Sequence, residues 1–230
     1  MIKEAIILAG GLGTRLRPVV ADLPKCMAPV NNKPFLSYVI DHLQKQGIEK
    51  FIFSLGYKHE NIVAFLETSY PALTYKISIE DEPLGTGGAI EKSCGLVDDK
   101  SVIVVNGDTL FKADLVEMSQ VHDLSGAHCT LALKPMKNFD RYGVVEIDNN
   151  CGVHCFKEKK YYESGLINGG VYALNKNKFL EETMPEKFSF ESDYLEKFFT
   201  KRTFLGFVQD KYFIDIGIPE DFARAQEELK

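Results

Sequence analysis

Short strand-like runs alternate with amphipathic segments through the first half of the chain, and this alternation limits the fold more than any other feature. The strand-like runs are residues 5–8, 51–55, 75–79 and 102–105. The segments between them have helical periodicity and cover residues 34–46, 60–66 and 88–94. Apolar strands separated by helices are typical of parallel sheets covered on both faces. The pattern predicts an α/β fold with a Rossmann-like, mostly parallel central sheet flanked by helices.

The second half of the chain is predicted to be rich in strands. Strand-like runs cover residues 130–133, 144–147, 153–156, 171–174 and 212–214, and a helix is expected over 219–229. No segment rich in proline, glycine or serine divides the two halves, and 45% of the residues are hydrophobic, enough for a sizeable core. We therefore expect one continuous domain over residues 1–230.

Charge and cysteine usage exclude several classes of protein. The net charge of -6 disfavours a binder of nucleic acid, which needs a basic face for the phosphates. No apolar stretch approaches the ~20 residues of a membrane span, and no secretory leader precedes the first strand. The five cysteines are scattered and odd in number. The sequence thus predicts a cytoplasmic protein with reduced thiols and no nucleic-acid or membrane partner.

A glycine-rich segment directly follows the first apolar run. Gly10, Gly11 and Gly13 allow the backbone to turn sharply and to present N–H groups to a phosphate. The segment also carries the cations Arg15, Arg17 and Lys25. Loops at the carboxyl ends of strands are where open α/β sheets bind ligands. The segment predicts an anion site, and a glycine-rich turn with solvated arginines is the alternative.

Two common phosphate motifs do not fit this segment. Leu16 stands where the dinucleotide-binding motif needs its third glycine, and Asn31 and Asn32 stand near the position of its acidic residue. The Gly-Lys-Ser/Thr of a Walker loop is absent. The segment would therefore bind phosphate in a way that neither motif describes.

Two aspartates follow predicted strands that are far apart in the sequence. Asp108 comes after the run 102–105, and Asp215 comes after the run 212–214. Mg²⁺ binds to one or two carboxylates together with substrate phosphates, so the pair is a candidate magnesium site. The alternative for each aspartate is a turn former or a helix cap.

A second glycine-rich turn, at residues 80–89, begins with an acidic residue. Its glycines would let a flat base lie against the backbone, and the carboxylate of Glu80 can accept hydrogen bonds from a base. Guanine presents N1–H and N2–H₂ side by side, so Glu80 is a candidate guanine reader. A solvated acidic turn is the alternative.

The segment from Gly10 to Pro18, followed after five residues by Pro24 and Lys25, resembles the signature of the sugar-1-phosphate nucleotidyltransferases. The similarity continues along nearly the whole chain. It is greatest to the members that transfer guanylyl groups to D-glycero-α-D-manno-heptose 1-phosphate, through the segments 140–143, 165–170, 187–191 and 212–217. These members make GDP-heptose for bacterial surface polysaccharides.

The resemblance implies a role for particular residues. It implies Mg²⁺ as the cofactor, with Asp108 and Asp215 as its ligands, and catalytic roles for Arg15, Lys25 and Asp108. The nucleotide contacts that we expect are made by Leu8, Ala9, Gly10, Gly11, Gly13, Thr14, Glu80, Gly85, Thr86 and Gly107. The expected sugar-phosphate contacts are made by Gly143, Glu158, Lys159 and Asn168.

The predicted substrates are a nucleoside triphosphate, with GTP favoured, and a sugar 1-phosphate. The nucleotide-binding part would cover about residues 1–125 and the sugar-binding part about 126–230. A mannose 1-phosphate guanylyltransferase, or a relative that uses another base, stays open as an alternative. So does a catalytically silent regulator that binds a sugar nucleotide. The sequence leaves the oligomeric state open.

Overall fold

A computed structural model describes residues 1–11 and 23–229 of the protein. The strands are β1 (Glu4–Leu8), β2 (Pro29–Val30), β3 (Lys33–Pro34), β4 (Lys50–Leu55), β5 (Thr74–Ile79), β6 (Ser101–Asn106), β7 (Thr109–Phe111), β8 (Cys129–Phe139), β9 (Val144–Ile147), β10 (Val153–Lys157), β11 (Tyr162–Asn175), β12 (Phe204–Val208) and β13 (Phe213–Asp215). The helices are α1 (Phe35–Lys45), α2 (His59–Ser69), α3 (Gly85–Cys94), α4 (Leu115–Ser125), α5 (Lys176–Leu180), α6 (Glu196–Phe198) and α7 (Pro219–Glu228). A 3₁₀ turn covers Lys25–Met27, and a π-helical turn covers Phe190–Leu195.

Within the described residues, seven strands form the central sheet in the order β12-β8-β11-β6-β1-β4-β5. The pairs β1–β4, β1–β6, β4–β5 and β8–β12 are parallel. Strand β11 is antiparallel to both of its neighbours, β6 and β8. The predicted α/β fold with a mostly parallel sheet is confirmed, and antiparallel strands are added by the second half of the chain.

Both faces of the sheet are buried, as the apolar runs predicted. Neighbouring residues of a strand point to opposite faces, so Ile7 packs with Phe35 and Phe53 on one side while Ile6 packs with Val104 on the other. All five side chains are at most 1% exposed. The sheet thus separates two hydrophobic layers, and only its edges and strand ends are open to a ligand.

The strand predicted at 171–174 is part of a much longer element. Strand β11 has 14 residues, and its register against β8 shifts between Asn168 and Tyr172. The hydrophobic pattern stops at Gly169 and Gly170, so the pattern alone predicted a shorter strand. The interruption is a bulge inside the strand, which is a common way to redirect a side chain beside an active site.

Several elements lack a clear signal in the sequence. The small ladder of β7 with β13, helix α4 and the turn Phe190–Leu195 were not predicted. Each is short or weakly amphipathic, and each is stabilised by tertiary contacts rather than by its own periodicity. The proposed division near residue 125 stays a prediction, although strands from both parts lie in one sheet.

Two further predictions from the sequence concern membrane-spanning segments and the state of the cysteines. Among the residues that the structure describes, no helix is both long enough and apolar enough to cross a membrane. All five cysteines are within the described range, and each is a free thiol.

Acid should destabilise the fold through a buried histidine. His122 is 2% exposed, its Nδ1 lies 3.0 Å from Thr130 Oγ1, and its Nε2 has no partner. Burial lowers the pKa of His122 to about 4. The unfolded chain therefore binds this proton more readily than the folded chain, and stability falls as the pH drops from about 6.5 towards 4. We expect His122 alone to cost roughly 2 kcal/mol of the free energy of unfolding at about pH 4.5.

Urea unfolding at about pH 7 and pH 4.5 measures this cost. The variant His122→Asn keeps a polar atom near Thr130 but does not titrate, so its free energy of unfolding should differ less between the two pH values. The exposed His154 provides the matched control. His154→Asn should keep the full difference of the unmodified protein, and an equal flattening in both variants would contradict the assignment.

Candidate active site

The glycine-rich segment and Asp108 begin at the same edge of the sheet. Strands β1 and β6 are parallel neighbours with Leu8 opposite Asn106. The N–H of Gly107 donates to the carbonyl of Leu8 at 2.8 Å, and a Cβ at position 107 would come within 2.9 Å of the same oxygen. Glycine is therefore required where the two strand ends meet. Asp108 follows directly and lies at the predicted edge.

Asp215 reaches this edge through the small ladder. Strand β13 pairs with β7 in antiparallel fashion, with Asp215 opposite Thr109. The N–H of Ile216 also donates to the backbone carbonyl of Asp108 at 3.1 Å. The structure thus brings the two predicted metal ligands together, although they are far apart in the sequence.

Lys25 lies between the two aspartates. Its Nζ forms an ion pair with Asp108 Oδ2 and lies 3.6 Å from Asp215 Oδ1. The 3₁₀ turn Lys25–Met27 is anchored by the buried side chains that follow Lys25, and the Lys25 side chain itself is only 17% exposed. Partial burial strengthens such contacts relative to a surface ion pair. A cation is therefore held where two carboxylates converge.

Asp215 is oriented by further groups that the sequence did not reveal as site residues. Its Oδ1 accepts from the N–H of Gly217 at 2.8 Å, and its Oδ2 accepts from the Tyr142 hydroxyl at 3.4 Å. Arg141 Nη2 lies 3.7 Å from the same Oδ2, and this guanidinium also pairs with the buried Asp221. Burial, with the charge of Asp215, raises the pKa of Tyr142 to about 12, so its hydroxyl stays a donor. Both residues belong to the segment 140–143, which was noted for its resemblance to relatives but without a role for either side chain.

The aspartate pair fits a small divalent cation. Both carboxylates contact the same ammonium group, so both can reach a shared positive charge. Mg²⁺ requires no more from a protein than one or two carboxylates when phosphates supply other ligands. No group of three or more candidate ligands exists among residues 1–11 and 23–229. Asp108 and Asp215 stay the predicted metal ligands.

A cavity of about 280 Å³ adjoins Asp215. It contains all four of the predicted sugar-phosphate residues, Gly143, Glu158, Lys159 and Asn168. Asp215 and Asn106 also line it, which places the cavity next to the metal candidates. The structure therefore collects the predicted sugar site into one space, and the contacts of each residue with a substrate stay predicted.

The hairpin β9–β10 brings Glu158 and Lys159, which directly follow β10, to this cavity. Val144 pairs with Lys157, and a Cβ at Gly143 would come within 2.4 Å of the Lys157 carbonyl. Only glycine allows this approach, which delivers the following Glu158 and Lys159 to the cavity wall. Lys157 itself forms an ion pair with Glu146 on the partner strand.

Asn168 is fixed at both ends of its amide. Its Oδ1 accepts from the N–H of Gly170 at 3.0 Å, and its Nδ2 donates to the Tyr172 hydroxyl at 2.9 Å. Gly170 has a φ of +69°, in the left-handed region that glycine adopts without strain. The bulge in β11 is therefore what turns this amide towards the cavity.

Glu80 lies against the start of the glycine-rich segment. Its Oε1 accepts from the Ser54 hydroxyl at 3.3 Å, and its Oε2 accepts from the N–H of Leu84 at 3.0 Å. A Cβ at Gly10 would come within 2.8 Å of Oε1. The carboxylate is thus held beside Gly10 by its own loop, with lone pairs left for another donor.

The glycines after Glu80 contact the protein itself, which differs from the reason inferred from the sequence. Gly85 has a φ of +75°, and a Cβ there would come within 2.4 Å of the Phe188 carbonyl. The Thr86 hydroxyl donates to Glu191 Oε2 at 2.7 Å and accepts from the N–H of Phe190 at 2.8 Å. These glycines allow the chain near Phe188 to pack closely. A contact of Gly85 and Thr86 with a nucleotide stays a prediction.

Part of the predicted nucleotide site is outside the described residues. Gly13, Thr14 and Arg15 belong to residues 12–22, so their predicted contacts are not tested. Leu8, Ala9, Gly10 and Gly11 are described, and the N–H of Ala9 donates to the Ser54 carbonyl at 2.8 Å. The start of the segment is thus fixed between β1 and β4.

The start of the glycine-rich segment, Lys25, Asp108 and Asp215 lie at the carboxyl edge of the parallel strands, where open α/β sheets bind their ligands. Residues 4–230 match the family model described as nucleotidyl transferase. The chain belongs to the nucleotidyl transferase family, as the sequence predicted.

Curated relatives match over almost the whole chain. The D-glycero-α-D-manno-heptose 1-phosphate guanylyltransferase of Aneurinibacillus thermoaerophilus is 55% identical over 227 residues, which cover 99% of this chain and 98% of that protein. The enzyme of the same name from Campylobacter jejuni is 45% identical, over 95% of this chain and 96% of its own length. The crystal structure of HddC from Yersinia pseudotuberculosis complexed with GMP-PN superposes with a TM-score of 0.89 at 39% identity, and all of both chains is covered.

Proposed function

We propose that the protein transfers a guanylyl group from GTP to D-glycero-α-D-manno-heptose 1-phosphate, giving GDP-heptose and pyrophosphate. The observation that carries this proposal is that Lys25, Asp108 and Asp215 converge beside the cavity that holds the predicted sugar residues. The similarity to heptose 1-phosphate guanylyltransferases over the whole chain supports the choice of base and sugar. The product would serve bacterial surface polysaccharides.

The chemistry is a single in-line displacement at phosphorus. A phosphate oxygen of the sugar 1-phosphate forms a bond to the α-phosphorus of GTP as the bond from that phosphorus to the β-phosphate oxygen breaks. A phosphate monoester is already an anion at neutral pH, so no strong base is needed. The displacement is complete in one step and needs no covalent intermediate with the protein. The residues therefore act by positioning and by charge stabilisation.

The cations have separate tasks in this mechanism. The ammonium of Lys25 would move from its carboxylate partners to the phosphates of the nucleotide and offset charge on the leaving pyrophosphate. Asp108 and Asp215 would hold Mg²⁺, which when bound neutralises charge on the α-phosphate and aligns the two substrates. Arg15 would add a second cation at the phosphates, which stays a prediction from the sequence.

The cavity residues would select and orient the sugar phosphate. The carboxylate of Glu158 accepts hydrogen bonds from sugar hydroxyls, and the ammonium of Lys159 contacts the phosphate. Asn168 presents the amide hydrogen that Tyr172 leaves unused. Gly143, which also lines the cavity, would contribute main-chain contacts to the sugar.

A mannose 1-phosphate guanylyltransferase is the second candidate. The enzyme of that name from Mycobacterium tuberculosis is 32% identical over 98% of this chain, but the match covers only 64% of that protein. Both candidates share the chemistry and the base, and they differ in the sugar. The convergence of Lys25 with the two aspartates supports either enzyme over a silent regulator, which has no use for a shared cation site.

GTP should exceed ATP by orders of magnitude in kcat/KM, because Glu80 can accept from both N1–H and N2–H₂ of guanine. Hydrogen bonds to charged groups contribute ~1.5–3 kcal/mol each. Adenine would instead place its N1 lone pair against the carboxylate. In Glu80→Gln the amide oxygen can still accept from the N–H of Leu84, and the NH₂ can donate to the Ser54 hydroxyl, so the variant should reduce the preference for GTP without unfolding the loop. Pyrophosphate release across a panel of nucleoside triphosphates measures the preference.

Glu82→Gln is the matched control, since Glu82 is an exposed acid of the same loop. It should leave the preference for GTP unchanged. Equal use of GTP and UTP by the unmodified protein would overturn the base assignment. Competition between heptose 1-phosphate and mannose 1-phosphate tests the sugar, and a clear preference for mannose 1-phosphate would favour the second candidate.

A further inference from the structure

The π-helical turn Phe190–Leu195 places the carboxylate of Glu191, which has no role in the mechanism above, at the wall of the cavity. In the same turn the buried rings of Phe190 and Tyr194 stack on each other, with 5.3 Å between their centroids. Phe190 also packs edge-to-face with Tyr172, at 5.0 Å. The turn is closed by the Asp193 carboxylate, which accepts from the N–H of Ser189 at 2.8 Å. Glu191 therefore stands on a rigid base, as single π-turns at functional sites do.

Both carboxylate oxygens of Glu191 accept hydrogen bonds, and the two oxygens accept them from different parts of the site. Its Oε1 accepts from the Tyr172 hydroxyl at 3.2 Å, and that hydroxyl accepts from Asn168 Nδ2 at 2.9 Å. Its Oε2 accepts from the hydroxyls of Thr86 at 2.7 Å and Ser189 at 3.2 Å. One carboxylate thus connects helix α3, which follows the predicted base loop, with the amide in the predicted sugar site.

An ionised carboxylate fits this set of partners, because it can only accept and each of the three hydroxyls can donate to it. Because Tyr172 donates to Glu191, its lone pairs face Asn168, and the amide group of Asn168 must present its NH₂ there. Burial, together with the charge of Glu191, keeps the pKa of Tyr172 well above its usual value, so the hydroxyl stays a donor. The carboxylate therefore sets the direction of the whole chain of hydrogen bonds.

We propose that Glu191 is a positioning residue that couples the two substrate sites, holding Thr86 on the nucleotide side and, through Tyr172, Asn168 on the sugar side. This inference rests on the proposed function for the identity of the two substrates. If Glu191 couples the two sites, a change at Thr86 alters the sugar site, and a change at Tyr172 alters the nucleotide site.

Single substitutions on either side test the coupling. Thr86→Val removes the hydroxyl on the nucleotide side, and Tyr172→Phe removes the hydroxyl on the sugar side. Each variant should raise the KM of its near substrate and also raise the KM of the far substrate by at least about threefold. Glu191→Leu should raise both KM values by about tenfold, the equivalent of a lost charge-assisted hydrogen bond. Glu191→Gln, which keeps one acceptor, should recover part of both losses.

A double variant tests whether the coupling passes through Glu191. In Glu191→Leu, adding Thr86→Val should no longer change the KM for the sugar phosphate. Asp193→Asn is the control for a charge change in the same turn, because its side-chain oxygen can still accept from the N–H of Ser189 and because Asp193 does not line the cavity. It should leave both KM values in place.

Several outcomes would overturn the coupling. One is that Thr86→Val and Tyr172→Phe each shift only their near substrate. Another is that Glu191→Leu shifts one KM alone, as a direct sugar contact would. If Glu191→Leu does not fold, the two single variants and Glu191→Gln still decide the question. Inactivity of the unmodified protein with GTP and heptose 1-phosphate would instead contradict the proposed function, and the same KM comparison would then use the pair that the pyrophosphate assay identifies.

Discussion

Asp108→Asn and Asp215→Asn should each lower turnover by about 10³-fold or more while leaving the fold intact. A metal ion contributes several kcal/mol of charge stabilisation in the transition state, and each asparagine removes one of the two carboxylates that would hold it. The fold should persist because, in Asp215→Asn, the side-chain amide oxygen can still accept from the N–H of Gly217. Chelation of Mg²⁺ should reduce the turnover of the unmodified protein to a similar degree.

The loss of turnover must be separated from the loss of an ion pair with Lys25, because both aspartates are also its partners. Titration with Mn²⁺ in the presence of a non-hydrolysable GTP analogue measures metal binding directly, and both variants should bind it more weakly. Asp210→Asn is the control, since this exposed carboxylate pairs with Lys134 outside the cavity. It should keep turnover, metal binding and stability close to those of the unmodified protein. Near-normal turnover in both Asp108→Asn and Asp215→Asn would show that these residues are not the metal ligands.

The position of Asp108 could be predicted from the sequence because it depends on a local pattern. The buried strand β6 ends at Asn106. Because β6 is a parallel neighbour of β1, its end lies beside the loop that leaves β1. Asp215 was harder: the strand-like run before it was visible in the sequence, but its pairing with β7 in a ladder of three pairs was not. Its prediction relied on resemblance to a family motif.

The network around Glu191 was not predictable, for a physical reason. It joins Asn168, Tyr172, Thr86 and Glu191 by side-chain hydrogen bonds between segments that are far apart in the sequence. Periodicity reports which face of an element is buried, but it does not report which polar groups meet across that face. The segment 187–191 was noted for its resemblance to relatives, and the sequence offered no partner for its acid.

The glycines show the same limit. The sequence predicted that the glycines of residues 80–89 let a base lie against the backbone, and it did not indicate that Gly85 has a φ of +75°. The structure shows the chain at Phe188 beside Gly85, and a contact of Gly85 with a nucleotide stays a prediction. Glycine reports that something approaches the backbone closely, and only the fold says what approaches.

Lys25→Met should slow the chemical step by ~10²–10³-fold if the ammonium stabilises charge on the phosphates in the transition state. Lys25 begins the buried turn Lys25–Met27, and methionine keeps much of its apolar stem, so the turn should be retained. Rapid-quench measurement of a single turnover with GTP and the sugar phosphate isolates this step. Lys33→Met is the control, because Lys33 is exposed on β3, and it should leave the rate unchanged.

The same substitution should have the opposite effect on metal binding without nucleotide. Lys25 contacts both Asp108 and Asp215, so its ammonium competes with a metal ion for these carboxylates. Removing it takes away the cation that contacts both carboxylates, although Arg141 still lies 3.7 Å from Asp215 Oδ2, and a divalent cation can replace the lost charge. Mn²⁺ titration of the nucleotide-free protein should therefore show tighter binding in Lys25→Met than in the unmodified protein or in Lys33→Met. A raised KM for GTP with an unchanged single-turnover rate would make Lys25 a docking residue only. Weaker metal binding in Lys25→Met would show that the lysine supports the two aspartates rather than competing for them.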